Sequence, residues 1–307
     1  MSGGMSWAIV VPTGPGEAEV ARIADILASA QRFEPDVDRI ILVDDDPGGP
    51  RPATLLATAG ALAPRTTVIA NPRPREAHGW SSGVLIGVCT GFAEAMRGQP
   101  VDWVLRMDSD ALLIGALADQ VGARFADDPD LAIVGAYDRH ADGTERDFTI
   151  WNHAIGSLLK PFAPRRSWRR PLLTSLFGRG KERRQLLEEA MRQGYQLGEH
   201  CQGGAYAISM RAIRAISANG WFDPRMWLGL GLPEDVIMGI YTRALGLSMA
   251  GMADPGEPFA VTHVGLPGTP RGLRDAGHGV VHSVKSHAGR TEADLREEFR
   301  LLREETI

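Results

Sequence analysis

Cysteine is nearly missing. The 307 residues hold two, Cys89 and Cys201. Neither has a second cysteine nearby, so no CxxC zinc or redox motif exists. Two core thiols in a reducing compartment is the favoured reading, with a Cys89–Cys201 disulfide as the alternative. Long apolar runs are missing too, and with them any membrane-spanning helix. The N-terminal stretch MSGGMSWAIVVPTGPG has no basic segment and only a short apolar run, so it does not read as a signal peptide. These absences lead us to expect a cytoplasmic protein. Neither sign of charge dominates: 33 Lys and Arg stand against 38 Asp and Glu, a net charge of -5. That excludes a nucleic-acid partner held by electrostatics. Aromatics make up 7% and form no base-stacking series. Glycine-rich phosphate loops are also missing. PTGPGEAEV is not GxGxxG, and no GxxxxGK[ST] occurs.

What the chain does have is alternation. WAIVV (7–11), RIILVDDD (39–46), TTVIANP (66–72), VDWVLRM (101–107) and LAIVGAYD (131–138) read as buried strands. Between them, residues 17–31 put Val20, Ile23, Ala24 and Leu27 on one helical face. Residues 80–96 do the same with Val84, Leu85, Val88, Phe92 and Met96, and Ser81 or Ser82 is placed to cap that helix. Continuous apolar strands alternating with helices predict an α/β fold, a mixed, mostly parallel sheet flanked by helices. Such sheets place ligands at the carboxyl ends of their strands. Those ends carry Pro12-Thr13-Gly14, Asp44-Asp45-Asp46, Asn71 and Asp108-Ser109-Asp110.

Asp108-Ser109-Asp110 lies between two apolar runs. In an extended stretch residues i and i+2 point the same way, so both carboxylates are expected to face one pocket. Two carboxylates facing one pocket repel, and a cation between them relieves the repulsion. With no glycine loop for phosphates, a divalent cation held by oxygen ligands is the natural neutraliser. A solvated turn is the plain alternative.

This arrangement resembles the GT-A fold glycosyltransferases, whose nucleotide-sugar-binding sheet carries an Asp-x-Asp motif at the end of a central strand. The resemblance runs from about Trp7 to about His287. DRIILVDDD is similar to the family's second strand. EHCQGGAYAISMRAIRAI (199–216) is similar to its Gly-Gly segment, and LGLPEDVIMGIYTRALG (230–246) to the Glu-Asp segment of inverting members. The order of the last two is most like that of the β-1,3-galactosyltransferase and fringe group.

The resemblance implies a transferase that moves a sugar from a nucleoside-diphosphate sugar, with UDP expected, to a hydroxyl acceptor with inversion. It implies Mn2+ or Mg2+ on Asp108 and Asp110, and Asp44 and Asp45 on the base or ribose. Pro12, Thr13, Trp80, Ser81 and Ser109 would lie along the donor. Gly203 and Gly204 let a sugar ring or diphosphate approach the backbone closely, or form a plain tight turn. Asp235 would be the general base, with Glu234 as its fallback or an acceptor contact. A helix cap is the plain reading of that pair, because carboxylates suit a helix N-terminus.

Four of eight histidines, His263, His278, His282 and His287, crowd the tail. Several GT-A enzymes return a C-terminal histidine to the cation, which implies His282 as ligand, chosen over His287 or His263, and Lys285 on the diphosphate. Imidazole there favours Mn2+.

Residues 160–184, KPFAPRRSWRRPLLTSLFGRGKERR, hold nine Lys or Arg and one Glu. They read as an insertion, either a lid over substrate or a basic apolar patch for anionic lipid. The second reading would put the protein at the inner face of a membrane, where a lipid-linked acceptor would fit as well as a soluble carbohydrate. The expected organisation is a nucleotide-sugar-binding half (1–150), the insertion (151–190), an acceptor-binding half (191–290) and a C-terminal helix (291–307). In that helix Thr291 and Asp294 resemble a capping box, and Leu295, Phe299 and Leu302 form a stripe for the core. A sugar-phosphate nucleotidyltransferase, an inactive transferase-like scaffold and a metal-dependent phosphohydrolase are the rival readings. For the first, VPTGPGEAEVAR supplies only a poor version of its glycine-rich loop, the second would not need Asp108, Asp110 and Asp235 intact, and the third lacks its ligand spacings.

Overall fold

A computed structural model describes residues 4–46, 48, 50–73, 80–159 and 179–305, with the side chains of residues 80–82 left out. The stretch 160–178, most of the expected basic insertion, lies outside the described residues. Its end, Arg179–Arg192, is helical.

In chain order the strands of the two larger sheets are β1 (Trp7–Thr13), β2 (Arg39–Asp44), β3 (Thr66–Ala70), β4 (Trp103–Met107), β5 (Leu112–Leu113), β6 (Leu131–Gly135), β7 (Ala205–Ser209), β8 (Ser248–Gly251), β9 (Phe259–Val261) and β10 (Val280–His282). Seven of them form the main sheet in the order β3-β2-β1-β4-β7-β6-β8. β7 is antiparallel to both its neighbours, and the other pairings are parallel.

Side chains alternate across this sheet, as strand geometry requires. Ile9, Val11, Ile40, Leu42 and Leu105 enter one core, which the helices Glu17–Phe33 and Glu292–Glu305 cover. Ala8, Val10, Ile41, Val43 and Val104 enter the other, beneath Trp80–Arg97, Met210–Ala218 and Glu234–Ala244. Burial on both faces explains why the strands read as unbroken apolar runs. The Glu17–Phe33 helix buries Ile23, Ile26, Leu27 and Ala30, a face turned slightly from the expected one. The expected cap at Ser81 or Ser82 is corrected: the helix already includes Trp80, so both serines lie in its first turn. Cys89 and Cys201 are free and buried, which removes the disulfide alternative. No helix among the described residues is long and apolar enough to cross a membrane.

Two topological features position the site. Because β7 runs antiparallel to β4, with Met107 opposite Ala205, the Gly203-Gly204 turn before β7 arrives at the carboxyl end of β4. A second sheet, β5-β10-β9, begins immediately after the Asp108-Ser109-Asp110 turn. β5 pairs with β10, Val280 opposite Leu113, and so returns the end of β10 to the aspartates.

Candidate metal and catalytic site

The backbone of β4 continues into a turn in which Ala111 N–H donates to the Asp108 carbonyl at 3.0 Å. The expectation of an extended strand through both aspartates is therefore corrected. The carboxylates converge because the chain turns, not because residues alternate. They meet His282, and one ligand atom from each of the three lies within 4.8 Å of the others. His282 Nε2 is 3.3 Å from Asp110 Oδ1 and 3.7 Å from Asp108 Oδ2.

The other ring nitrogen of His282, Nδ1, is 2.7 Å from the Thr262 carbonyl. A carbonyl only accepts, so Nδ1 carries a hydrogen, and Nε2 is the nitrogen left facing the carboxylates, bare whenever the ring is neutral. This orientation is the usual support for a metal-binding histidine. Asp110 is buried. Its Oδ2 accepts from Ser283 Oγ at 2.7 Å and lies 2.9 Å from Lys285 Nζ. Burial alone would raise its pKa, but His282, Lys285 and Ser283 outweigh burial and hold it well below the usual carboxylate range. Burial likewise pulls His282 down, while the bond and charge of Asp110, with Asp108, raise it on balance. Two oxygen donors and one imidazole with a fixed tautomer fit a borderline divalent cation such as Mn2+.

The two glycines join this cluster to Asp235. Gly203 N–H donates to Asp235 Oδ2 at 2.6 Å, and a Cβ on Gly203 would come within 2.7 Å of that oxygen. Gly204 has φ +105°, and a Cβ there would lie 2.4 Å from the His282 ring. Its carbonyl accepts from Asp108 N–H at 2.7 Å. The close approach that these glycines permit is thus taken up by the protein's own side chains, one on each side of the dipeptide. Asp235 opens the helix Glu234–Ala244, and its Oδ1 accepts from Val236 N–H at 2.9 Å. His200 Nε2 stands 3.5 Å from Asp235 Oδ2. Arg146 Nη2 lies 2.8 Å from that same His200 nitrogen, and burial lowers the His200 pKa, so its ring is neutral.

Glu234 points the other way, into the sheet. Its Oε1 accepts from Tyr206, and its Oε2 is 3.3 Å from Arg106 Nη2. Arg106 Nη2 is also 2.8 Å from Asp108 Oδ1. One buried guanidinium therefore ties the Asp108, Asp110 and His282 cluster to the helix that carries Asp235. Arg106, Tyr206, Ser283 and His200 were not singled out from the sequence. Only Arg106 left a signal, as a charge inside the apolar strand WVLRM.

At the edge expected to take the donor, Asp44 is fully buried. Its Oδ1 accepts from Arg51 Nε at 2.9 Å, and its Oδ2 has no partner among the described residues. Arg51 also donates to the Gly14 and Gly16 carbonyls, at 2.6 and 2.7 Å. Asp45 accepts from Asn71 Nδ2 at 2.7 Å and pairs with Arg73. Thr13 is buried beside them and Pro12 half-buried. The side chains of Trp80, Ser81 and Ser82 lie outside the described residues. His263 is exposed, and His278 and His287 bond to the carbonyls of Glu257 and Leu266. Of the four tail histidines only His282 belongs to the three-residue cluster.

No known protein family and no curated protein matches this chain. Solved structures do. The bifunctional glycosyltransferase WbbM is similar over 97% of this chain and 50% of its own, with TM-score 0.50 and 12% identity. The galactosyltransferase LgtC, solved with donor and acceptor sugar analogues, is similar over 97% of this chain and 95% of its own, with TM-score 0.49 and 14% identity. The mannosyltransferase PcManGT from Pyrobaculum calidifontis, solved with GDP-Man and Mn2+, covers 82% of this chain and 56% of its own, with TM-score 0.43 and 13% identity. The chain spans about half the length of WbbM and of the mannosyltransferase. The likeness to WbbM shows that the chain has the GT-A glycosyltransferase fold.

Proposed function

We propose that the protein is a metal-dependent glycosyltransferase that moves a hexosyl group from a nucleoside-diphosphate sugar to a hydroxyl acceptor. The observation that carries this reading is the Gly203-Gly204 dipeptide. It touches the Asp108, Asp110 and His282 cluster on one side and Asp235 on the other. A cation site and a carboxylate held one residue apart, at the carboxyl edge of an α/β sheet, suit group transfer from a diphosphate to a hydroxyl.

Asp108, Asp110 and His282 would hold Mn2+ or Mg2+, which supplies charge stabilisation for a leaving diphosphate. Lys285, exposed beyond its contact with Asp110, is placed to turn toward the same diphosphate. Asp44, whose buried Oδ2 has no partner among the described residues, would offer that oxygen to a base or ribose once the edge opens to the donor. Pro12, Thr13, Asp45 and Ser109 complete that edge, and we assign UDP as the nucleotide. Asp235 accepts the proton of the acceptor hydroxyl as the new glycosidic bond forms, so the sugar inverts. Its two backbone N–H bonds fix the carboxylate for that role. Glu234, engaged by Tyr206 and Arg106, supports the site from below. The acceptor is a carbohydrate or a lipid-linked sugar, the latter resting on the basic composition of residues 160–184 alone.

The test is calorimetric titration of UDP, then GDP, into wild type and Asp110→Asn, with Mn2+ and with EDTA. Binding that needs Mn2+ and is lost in the variant is expected. Nucleotide binding indifferent to both would remove the cluster as the cation site, and no binding of either nucleotide would remove the transferase reading.

A further inference from the structure

The turn that carries the metal cluster is held from three directions. Asp108 N–H donates to the Gly204 carbonyl at 2.7 Å, and Val284 N–H donates to the Asp110 carbonyl at 2.9 Å. Those two contacts come from segments that already belong to the site. The third does not. The carbonyl of Ser109, between the two aspartates, accepts from Arg296 Nη2 at 3.2 Å. Arg296 lies on the C-terminal helix Glu292–Glu305, which packs on the opposite core from the helix of Asp235.

Arg296 is itself fixed. Its Nε donates to Glu292 Oε1 and its Nη1 to Asp25 Oδ2, both at 2.8 Å. Glu292 is held by Arg22 Nε at 2.7 Å, and Asp25 by Arg303 Nη1 at 3.0 Å. Every nitrogen of the guanidinium has a partner, and the fork leaves one orientation for Nη2. A planar donor locked on two sides delivers the third bond with little loss of freedom. The Leu295, Phe299 and Leu302 stripe explains why the helix docks, but it does not explain an arginine spent on a carbonyl of the cation-binding turn.

We propose that Arg296 is a positioning residue for the metal site: it sets the path of the Asp108-Ser109-Asp110 turn and thereby the affinity for the divalent cation. The inference rests on the cation reading given above. The C-terminal helix is then part of the donor machinery and not only a cover for the core. It acts through the backbone between the two ligands, where a small shift separates both carboxylates from His282.

The test measures Mn2+ affinity, by electron paramagnetic resonance of free Mn2+, on wild type, Arg296→Met, Arg296→Lys and Arg303→Met, each with its thermal midpoint. Arg303→Met removes a neighbouring ion pair with Asp25 and a bond to Ser29 but leaves Ser109 untouched. Arg296→Lys keeps the charge beside Asp25 and Glu292 and lacks the fork that spans Asp25 and Ser109 together. Both Arg296 variants are expected to bind Mn2+ about 10-fold more weakly, in the range seen when support of a metal ligand is removed. Arg303→Met is expected to lose thermal stability and keep wild-type affinity. Wild-type affinity in Arg296→Lys, or equal losses in Arg303→Met, would overturn the positioning role. Failure of wild type to bind Mn2+ at all is a separate result that removes the cation reading itself.

Discussion

Gly204 stands where any side chain would strike His282: a Cβ at that position would lie 2.4 Å from the imidazole Cγ and Nδ1. The collision is with a buried ring whose Nδ1 is fixed on the Thr262 carbonyl, so the ring has little room to retreat. Gly204→Ala is therefore expected to displace His282 from Asp108 and Asp110. Mn2+ affinity should fall about 10–100-fold. The φ of +105° adds about 1–3 kcal/mol of backbone strain for a residue with a side chain. Metal titration with thermal unfolding on one sample separates the two effects. Unchanged Mn2+ affinity would show that His282 is not a ligand.

Arg106 and Glu234 form a buried pair beneath the site, and Asp108 shares the same guanidinium nitrogen. Removing one partner of a buried pair leaves an uncompensated charge and costs about 3–5 kcal/mol. Arg106→Met is expected to fall in that range in urea unfolding. Adding Glu234→Gln should recover part of the loss, because the carboxylate that lacked a partner is then neutral. A double variant that is no better than the sum of the two singles would show that Arg106 acts mainly through Asp108 or through packing on Tyr206.

The main sheet was legible because strands buried on both faces must be apolar throughout, and WAIVV, RIILV and LAIVG are. That Asp108 and Asp110 share one site was legible from their motif, although the reason given for their convergence was wrong. Strand alternation was expected, and a turn does the work. The choice of His282 over His263 and His287 came from family resemblance. Its physical reason, the β5 to β10 pairing, joins residues more than 160 positions apart and leaves no local trace. The same holds for His200, Ser283 and Arg296. Each is an ordinary polar residue whose partner is fixed by packing. Arg106 is the exception, since a charge in a buried strand has to find counter-charges.

Glu234 makes stability depend on pH in a stated direction. Burial lifts its pKa from 4.5 to about 7, against the pull of Arg106 and the Tyr206 bond, while Asp235 and Asp108 add to the rise. The folded state therefore keeps this proton to higher pH than the unfolded chain does. As pH rises from 4.5 to about 7 the unfolded chain ionises first, so the contribution of Glu234 is full below that window and is lost across it. Glu234→Gln cannot ionise and should flatten this part of the profile. Urea midpoints of metal-free wild type and variant, taken across the window, provide the check. Parallel profiles would mean that Arg106 keeps Glu234 ionised in the fold.

Asp235 and the cation cluster touch opposite sides of one dipeptide, so a variant at Asp235 can fail in two ways. Asp235→Asn keeps an oxygen for the Gly203 N–H and so should leave the Gly203-Gly204 turn, and with it His282, in place. It removes only the ability to take a proton. With the donor and acceptor of the proposed transfer, kcat is expected to drop about 10²–10⁴-fold, the usual worth of a general base. Mn2+ and nucleotide affinity should stay at wild-type levels. Release of nucleoside diphosphate gives the rate, and calorimetry gives the affinities. A loss of rate that tracks a loss of Mn2+ affinity would place Asp235 among the supports of the turn. A rate that hardly changes would point to retention, a route in which the leaving diphosphate can take the acceptor proton and no carboxylate base is needed.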